Sequence, residues 1–307
     1  MEHLITENIG SLKTRLAPTP SGFLHPGNAI SFIVTHTLAR HFGGKILLRI
    51  DDLDTDRMRV DCLEDIFSTL DWLDLDYDEG ASGVEDFQKN YSQHTRLDLY
   101  FDALKKIGPS VLYACKCSRK DIREQSTDGL YPKTCLNKNI DFESPEITWR
   151  IHVPDETTVQ FNEWQQGLQN IDLSKTVGDF VLRQKNGRPA YQLASVVDDD
   201  FFGVNFIVRG EDLLSSTASQ IFVSQHITHS NFSKNVFLHH PLLTDTEGVK
   251  LSKSKGAGSL NDWREAGKSP VFLFQKAAEW LNLPYEDIDN LQDLLDLCKK
   301  GYPSVFS

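Results

Sequence analysis

Apolar residues recur at helical spacing from Asn28 to His41, after a short apolar segment, Lys13 to Pro18, that ends in prolines and a glycine. The first segment is typical of a strand that runs into a tight loop, and the second of an amphipathic helix that stops at Gly43-Gly44. A compact apolar run, Lys45 to Ile50, predicts the next strand. Strand, loop, helix and strand within about forty residues form a βαβ unit, and such units build parallel sheets that bind ligands at the carboxyl ends of their strands.

The rest of the chain predicts further elements of both kinds. They are helices over Val60 to Leu75, Asn90 to Ile107, Pro270 to Leu281 and Leu291 to Lys299, and strands over Ile147 to Val153, Pro189 to Val197 and Asn205 to Val208. We interpret residues 1–89 and 189–232 as the two halves of one doubly wound, Rossmann-type parallel sheet. Residues 90–188 are then an insertion, and residues 233–307 form a small, mainly helical region. The expected fold class is α/β.

Composition and length are those of a globular enzyme with more than one subdomain. Of the 307 residues, 39% are hydrophobic and 25% are charged, an ordinary balance for a soluble protein. The chain exceeds the length at which single cores usually stop growing, so two or three subdomains are expected. The first residues carry no basic stretch followed by an apolar run, and no window approaches about 18 uninterrupted apolar residues. We therefore expect a cytoplasmic protein with no membrane partner.

The formal net charge of −12 has the wrong sign for a chain that coats itself in nucleic acid, because phosphate contacts require clustered lysine and arginine. Binding nevertheless depends on the distribution of charge, and an acidic total alone indicates solubility. Two stretches could line a local basic groove: Lys116, Arg119, Lys120 and Arg123 in one, and Lys250, Lys253 and Lys255 in the other. Neither stretch by itself identifies an RNA-binding face.

A loop rich in proline and glycine leads from Arg15 into the helix that begins near Asn28. A nucleotide-binding loop needs glycines, because backbone N–H groups and a helix N-terminus must approach phosphate, and it needs donors for the charge that develops during transfer. Gly22, His25, Gly27 and Asn28 supply these groups. The alternative is a strand-to-helix turn whose glycines and prolines serve shape alone, and an isolated His-x-Gly favours that alternative.

A second candidate loop, Lys250 to Gly256, follows the apolar segment His240 to Leu243. Lys250 and Lys253 are three positions apart in a loop that contains serine and glycine, so their ammonium groups could lie against a triphosphate and stabilise the charge of a transition state. The alternative is a solvated basic loop, which is the commoner fate of such a run. The presence of both loops in one chain favours nucleotide chemistry for both.

Cysteines form a third candidate site. Five cysteines in a long chain without a secretion signal argue against a disulfide framework. Cys115-x-Cys117 followed by Tyr131-x-x-x-Cys135 suits a tetrahedral zinc site with a fourth ligand. The alternative is three buried or idle thiols, and the spacing alone leaves both interpretations open. Cys62 and Cys298 lie in amphipathic segments and are expected in the core.

Taken together, these residues resemble the catalytic half of the glutamyl-tRNA synthetases. His25-Pro26-Gly27-Asn28 matches the HIGH motif of that family, and Lys250 to Ser254 matches its KMSKS motif. Further matches occur in the family's order, at Arg15 to Ser21, Leu48 to Asp52, Tyr191 to Ala194, Asp198-Asp199 and Val208 to Asp212. The resemblance covers nearly the whole chain.

The resemblance implies the roles of individual residues. The glutamate pocket is expected to contain Arg15, Leu16, Ala17, Pro18, Thr19, Asp51, Tyr191 and Arg209. ATP is expected to contact His25, Gly27, Asn28 and Lys253, with Mg²⁺ on its phosphates, and the catalytic residues are expected to be His25, Asn28, Lys250 and Lys253. Asp51 stands where the family usually has glutamate, so the carboxylate expected at the substrate amino group is one methylene shorter. Either a shifted pocket or a bridging water would close that gap.

Shortened paralogues within this family, the glutamyl-queuosine tRNA(Asp) synthetases, carry the Cys-x-Cys, Tyr, Cys pattern as a zinc site in an acceptor-binding insertion. The resemblance therefore implies one structural zinc held by Cys115, Cys117, Tyr131 and Cys135, and it makes 233–307 a stem-contact-type region. Only about fifty residues follow Ser254, too few for the helical domain that reads the anticodon in full-length enzymes. The expected reaction is ATP-dependent activation of L-glutamate and its transfer, by a monomer, to queuosine in the anticodon loop of tRNA(Asp).

Three alternatives belong to other functional classes or acceptors. A compact glutamyl-tRNA synthetase would charge the 3′ end of tRNA(Glu). A catalytically idle paralogue that only binds RNA would be expected to have lost His25 or Lys253, and both are present. A nucleotidylyltransferase also uses a His-x-Gly loop, but it would not need Tyr191, Arg209 and the cysteine-rich insertion.

Overall fold

The computed structural model describes residues 11–244 and 258–300. Its strands are β1 Lys13–Leu16, β2 Lys45–Leu48, β3 Glu79–Gly80, β4 Leu112–Cys115, β5 Thr148–Ile151, β6 Thr158–Glu163, β7 Gly167–Asp172, β8 Phe180–Arg183, β9 Phe206–Gly210 and β10 Val236–His240. Its α-helices are α1 Pro26–His41, α2 Val60–Trp72, α3 Val84–Asp86, α4 Leu97–Ile107, α5 Arg119–Gln125, α6 Leu173–Thr176, α7 Tyr191–Phe201, α8 Leu214–Gln225, α9 Leu260–Glu265, α10 Val271–Trp280 and α11 Leu291–Lys299. None of these helices is both long enough and apolar enough to cross a membrane.

The described residues form two compact units. The first takes in the chain up to Thr95, Val204–Asp212 and the part from Val236 onward, and the second takes in Arg96–Gly203 and Leu213–Asn235. These units do not coincide with the three segments drawn from the sequence. Helices α7 and α8 belong to the second unit, and the helices after the predicted KMSKS segment belong to the same unit as β1 and β2.

The first unit is built on parallel strands, as the βαβ pattern predicts. Strand β2 pairs in parallel with β1 on one side and with β3 on the other, and β9 pairs in parallel with β10. Asn205 joins β1 to β9, because its N–H donates to the Lys13 carbonyl at 3.0 Å and its Oδ1 accepts from the Lys13 N–H at 2.8 Å. Strand β1 therefore lies beside β9, and the carboxyl ends of β1, β2 and β9 lie at one edge.

Helix α1 is the centre of the first unit's core. Its apolar residues at helical spacing, among them Ile30, Ile33 and Val34, are fully buried, and helices α10 and α11 contact it. The helix stops where the sequence predicts, because Gly43 adopts a left-handed φ of 64° that other residues rarely adopt. Gly44 is required for a second reason, since a side chain there would collide with Leu12. The C-terminal helices are therefore part of the layer that supports α1.

The second unit contains an antiparallel sheet and a cluster of helices. Strands β4, β5 and β8 pair in antiparallel order, and β6 and β7 form an antiparallel hairpin. Helix α7 contacts α4, α8 and β8. The sequence predicted none of the β6–β7 hairpin.

Two sequence predictions in the second unit need correction. The predicted strand over Pro189 to Val197 is wrong, because Tyr191–Phe201 is an α-helix that buries Leu193 and Val196 together with Asp198. Asp198 accepts two hydrogen bonds from the Arg96 guanidinium, and this pairing stabilises the buried aspartate on the helix. The predicted helix over Asn90 to Ile107 exists only from Leu97 onward, since a π-helical turn and a 3₁₀ turn occupy the residues before it.

Candidate active site and metal centre

The segments that leave β1 and β2 run side by side beyond the strands. The Arg49 N–H donates to the Leu16 carbonyl and the Asp51 N–H to the Pro18 carbonyl, each at 2.9 Å. These bonds hold the stretch from Arg15 to Thr19 against the stretch from Arg49 to Asp51. The carboxyl ends of parallel strands are where open α/β sheets bind ligands. The residues predicted around glutamate on these two segments therefore lie at one place.

Two guanidinium groups lie on the neighbouring strands β1 and β9. Arg15 is 7% exposed, and its Nη1 donates to the Val208 carbonyl at 3.1 Å. Arg209 follows Val208, is 5% exposed, and has its guanidinium 5.9 Å from the centre of the Phe237 ring. Paired, largely buried arginines suit bidentate recognition of a carboxylate. Of the other residues on the β1 exit, Leu16 and Pro18 are buried, Ala17 is half-buried and Thr19 is exposed.

The two aspartates after β2 have different partners. Asp51 is paired with Arg49, whose Nε and Nη2 donate to its two carboxylate oxygens at 2.7 and 3.0 Å. Asp52 is buried and accepts from the Ser92 hydroxyl at 2.5 Å and from the Gln93 N–H at 2.8 Å. Asp52 therefore anchors the chain before Thr95, whereas Asp51 remains half-buried at the strand exit.

The HIGH-like residues form the N-terminus of α1. His25 is the N-cap, its N–H donates to Asn28 Oδ1 at 3.1 Å, and the Asn28 N–H donates to the His25 carbonyl at 2.8 Å. A Cβ atom on Gly27 would lie 3.1 Å from the His25 ring, so a side chain there would crowd the imidazole where it lies over this turn. The first turn of the helix carries no acidic residue. Its N–H groups and dipole thus favour an anionic group such as phosphate.

Three predicted residues are not among the described residues of the first unit. Tyr191 is the first residue of α7 in the second unit, and it is 45% exposed. Lys250 and Lys253 lie outside the described residues, as does the rest of the predicted KMSKS segment.

The cysteine cluster in the second unit brings together the four residues proposed as metal ligands. Among the residues that the structure describes, Cys115, Cys117 and Cys135 form a group whose sulfur atoms all lie within 4.8 Å of one another. The Tyr131 hydroxyl lies 3.2 Å from Cys115 Sγ and 3.7 Å from Cys117 Sγ, and Cys117 Sγ lies 3.6 Å from Cys135 Sγ. Sulfur atoms about 2.3 Å from a tetrahedral zinc are about 3.8 Å apart, so these separations fit one ion. The three thiols can therefore hold a metal such as zinc.

A buried cation lies against this cluster. The Arg150 guanidinium is 3.9 Å from the centre of the Tyr131 ring, and its Nη1 donates to the Asp179 carbonyl at 3.1 Å. Burial raises the pKa of the Cys115 thiol, but hydrogen bonds to Tyr131 and Arg150 outweigh burial and lower that pKa to about 7. Burial raises the pKa of Cys117 to about 11. Arg150 thus stabilises negative charge on Cys115.

The remaining sequence predictions concern residues outside these sites. Cys62 and Cys298 are buried, as predicted, and burial raises the pKa of Cys298 to about 11. His239 and His240 are buried at the end of β10. Asp198, one of the family matches, is buried and paired with Arg96.

Sequence reasoning missed the partners that hold these sites. Arg49 is part of the matched motif, but nothing in the sequence indicates its pair with Asp51. Arg150 was overlooked as well, and the only signal was an arginine inside an otherwise apolar strand segment, between Trp149 and Ile151. Such partners depend on side-chain directions that spacing does not determine.

Comparisons with known proteins identify relatives of this chain. A curated relative named Glutamyl-Q tRNA(Asp) synthetase, from Verminephrobacter eiseniae, is 36% identical over 293 residues, which are 92% of this chain and 94% of the relative. Another with the same name, from Geobacter sulfurreducens, is 37% identical over 87% of this chain and 83% of its own length. Glutamate--tRNA ligase 2 of Syntrophus aciditrophicus is 34% identical over 87% of this chain, and the chain spans 56% of that relative.

Solved structures support the fold. A glutamate tRNA ligase from Elizabethkingia meningosepticum, solved in complex with its amino acid, superposes with a TM-score of 0.74 at 23% identity, covering 94% of this chain and 65% of the solved chain. The family profile described as tRNA synthetases class I (E and Q), catalytic domain, matches residues 11–292. The chain therefore belongs to the class I tRNA synthetases (E and Q), a family of aminoacyl-tRNA ligases, and it carries that family's catalytic domain.

Proposed function

We propose that this protein activates L-glutamate with ATP and transfers it to queuosine in the anticodon loop of tRNA(Asp). The observation that carries the activation step is that Arg15, Arg209 and the Asp51 segment lie at the carboxyl ends of strands in the same unit as helix α1, whose N-cap is His25. The acceptor is proposed from the relatives named Glutamyl-Q tRNA(Asp) synthetase, which align with this chain over most of both lengths.

The first step is attack of a glutamate carboxylate oxygen on the α-phosphorus of ATP, which forms glutamyl-adenylate and releases pyrophosphate. The two arginines would bind a carboxylate of the substrate, and Asp51 would accept from its ammonium group. His25, Gly27 and Asn28 would receive the phosphates at the α1 N-terminus, and the Mg²⁺ that accompanies ATP would offset phosphate charge. Tyr191 is assigned to the amino acid, and Lys250 and Lys253 to the phosphates, through the family resemblance. Catalysis of this kind is mostly positioning and charge stabilisation.

In the second step a hydroxyl of the queuosine cyclopentenediol attacks the carbonyl carbon of glutamyl-adenylate. An ester forms, AMP leaves, and the hydroxyl proton is released. The exposed basic residues Lys116, Arg119, Lys120 and Arg123, around the start of α5, are our candidates for contacts with the RNA backbone.

A second candidate is a compact glutamyl-tRNA synthetase that charges the 3′ end of tRNA(Glu). The relative from Syntrophus aciditrophicus, named Glutamate--tRNA ligase 2, favours this candidate at 34% identity. The activation step is the same in both, so only the acceptor distinguishes them.

Glutamate-dependent exchange of pyrophosphate into ATP tests the activation step. The wild type should exchange with glutamate and far less with aspartate or glutamine. The two arginines are fixed for a carboxylate at the position of the glutamate side chain, which the shorter aspartate does not reach and the glutamine amide does not supply. Lys253→Ala should reduce exchange by about 10²-fold, the scale for loss of one transition-state donor. Equal exchange with all three amino acids would disprove the pocket assignment, and full exchange by the Lys253 variant would disprove the role of that lysine. No exchange at all would favour the idle paralogue.

Acceptor identity is tested with ATP, labelled glutamate and three RNAs: tRNA(Asp) with queuosine, tRNA(Asp) without it, and tRNA(Glu). Label should appear on the first RNA alone, and ribonuclease mapping should place it in the anticodon loop. Prior periodate treatment should abolish labelling, since it cleaves the diol. Label on tRNA(Glu), or on tRNA(Asp) regardless of queuosine, would reject queuosine as the acceptor and leave glutamate activation standing.

We also propose that Cys115, Cys117, Cys135 and Tyr131 hold one structural zinc ion. Zinc would fix β4 to the segment around Cys135 and would take no part in the chemical steps. Elemental analysis of purified protein should give one zinc per chain, and Cys135→Ser should lower that content. Cys298→Ser is the matched control, because Cys298 is buried but distant in sequence from the cluster. Metal-free wild type, or full zinc in Cys135→Ser, would exclude this site.

A further inference from the structure

Both backbone polar groups of Leu24, the residue that precedes His25, are hydrogen-bonded. The Leu24 N–H donates to Asp65 Oδ2 at 3.2 Å, and the Leu24 carbonyl accepts from the Leu260 N–H at 2.8 Å. The Leu24 side chain is itself 4% exposed. Neither partner is local, because Asp65 lies on α2 and Leu260 begins α9. The loop before α1 therefore has its orientation fixed by two other helices.

Asp65 is a buried charge shared between this loop and α9. Its side chain is 1% exposed, and its Oδ1 accepts from Arg264 Nη2. Arg264 also donates from Nη1 to the Thr69 hydroxyl at 2.7 Å, one helical turn beyond Asp65 on α2. A carboxylate buried to this degree is tolerated only when it is paired and hydrogen-bonded. One oxygen is therefore committed to Arg264 and the other to the Leu24 N–H.

We propose that Asp65, held by Arg264, is a positioning residue for His25. The inference rests on the proposed function, in which His25 receives the phosphates of ATP. His25 is the next residue after Leu24 and forms the N-cap of α1, so the backbone conformation at Leu24 sets the positions of the imidazole and of the first N–H groups of the helix. A misplacement of about 1 Å in a catalytic group can cost on the order of 10²-fold in rate. Asp65 affects chemistry without contacting substrate.

A purely structural role for Asp65 predicts a different outcome. Loss of a buried ion pair would lower the stability of the fold, and any loss of activity would then be the same whether or not His25 is present. A positioning role predicts that the effect of changing Asp65 depends on His25. A double-mutant cycle separates these two cases, because coupling energy appears only between residues that act through one another.

The experiment measures pyrophosphate exchange in the wild type, Asp65→Asn, His25→Ala and the double variant, at a temperature where circular dichroism shows all four folded. Asp65→Asn should lower kcat by about tenfold with KM for ATP changed less than about threefold, as expected for a misplaced transition-state contact. In the His25→Ala background the same change should cost less than about twofold. Arg264→Lys, a milder change that keeps the charge, should show the same coupling.

Asp198→Asn is the matched control, because Asp198 is an equally buried, arginine-paired aspartate in the second unit. Asp198→Asn should change kcat by the same factor in the wild type and in the His25→Ala variant. If wild type exchanges but Asp65→Asn lowers kcat equally with and without His25, or leaves kcat unchanged, the inference is overturned and the proposed function stands. If wild type does not exchange at all, the proposed function and this inference both fail.

Discussion

Arg49 donates to both carboxylate oxygens of Asp51, at 2.7 and 3.0 Å, although only one residue separates them in the chain. The Arg49 side chain is 2% exposed and that of Asp51 is 13% exposed. Asp51 therefore neutralises a buried guanidinium. A carboxylate has about four lone-pair positions, so it can accept hydrogen bonds from more than one donor. The aspartate can thus serve the substrate ammonium group while it is fixed by Arg49.

This pair gives a prediction for Asp51, which stands where the family usually has glutamate. Asp51→Glu should be tolerated or should lower KM for glutamate in pyrophosphate exchange, because it restores the longer carboxylate while keeping the charge beside Arg49. Asp51→Ala should raise that KM and destabilise the fold by about 3–5 kcal/mol, since it leaves a buried arginine charge without this partner.

Steady-state exchange and urea unfolding measure the two effects. A large loss of exchange in Asp51→Glu would mean that the pocket is rebuilt around the shorter acid. That result would also weaken the assignment of Tyr191 and Arg209 to the same ligand.

Arg150 gives a prediction about the proposed zinc site. Three thiolates around one Zn²⁺ carry excess negative charge, and the Arg150 guanidinium lies 3.9 Å from the ring of the fourth proposed ligand, Tyr131. Arg150→Ala should lower zinc affinity by about 10–100-fold, the usual cost of losing a group that orients or compensates metal ligands. Competition with a chromogenic chelator measures this affinity. The zinc affinity of Arg150→Lys should lie between those of wild type and Arg150→Ala, because lysine keeps the positive charge but cannot stack a planar group on the Tyr131 ring.

Arg183→Ala is the matched control for Arg150. Arg183 belongs to the same sheet and also lies over an aromatic ring, with its guanidinium 5.0 Å from the Trp149 ring centre. It should leave zinc affinity unchanged. Equal affinity in Arg150→Ala and wild type would show that the guanidinium contributes nothing to metal binding.

The parts of this fold that the sequence predicted are those with strong local patterns. Helix α11 was predicted with its observed ends, Leu291 and Lys299, and α1 was predicted to stop at Gly43, where a left-handed φ ends it. The strand prediction for Pro189 to Val197 was wrong because a short apolar run fits a buried strand as well as a buried helix. Its helical state is fixed by partners distant in sequence, among them Arg96 on Asp198.

The candidate sites divide in the same way. The cysteines, His25 and the arginines were found because their residue types and spacing carry the chemistry. Asp65 and Arg264 were not found, since neither lies in a motif. The contact between Leu24 and Asp65 spans 41 residues of chain, and the contact between Asp65 and Arg264 spans 199. Resemblance supplied functional roles, whereas only the fold supplied the groups that hold those residues in place.

A buried network in the second unit gives a prediction about stability. Asp198 has 0% side-chain exposure and accepts from Arg96 Nε at 2.7 Å and from the Tyr100 hydroxyl at 2.8 Å. Asp198→Ala should destabilise the protein by about 3–5 kcal/mol, because it leaves the Arg96 charge buried without its carboxylate. Asp102→Ala is the comparison, since its pair with Lys105 is exposed and should be worth less than about 1 kcal/mol. Urea unfolding measures both variants, and equal losses would contradict the distinction between buried and exposed pairs.

The last prediction concerns acid stability and His240. This residue is 5% exposed, its ring stacks on Trp280 with the centroids 4.6 Å apart, and its Nε2 lies 2.8 Å from the Ser31 hydroxyl. Burial lowers the pKa of His240 below its usual 6.5, and the Pro241 carbonyl and Asp212, which act in the opposite direction, do not reverse this. The unfolded chain therefore takes up a proton at a higher pH than the folded chain does. This contribution to the free energy of unfolding is complete above pH 6.5 and falls on acidification below it, by at most about 1.4 kcal/mol per pH unit for one histidine.

His240→Gln should be less stable than wild type at pH 7.5, because the stacking is lost, but its urea midpoint should decrease less between pH 7.5 and 5.5. Burial also lowers the pKa of His36 and His226, so the decrease should shrink and not vanish. The exposed His229, changed to Gln, should keep the full wild-type decrease. A His240→Gln variant with the same decrease as wild type would show that this histidine does not contribute to acid sensitivity.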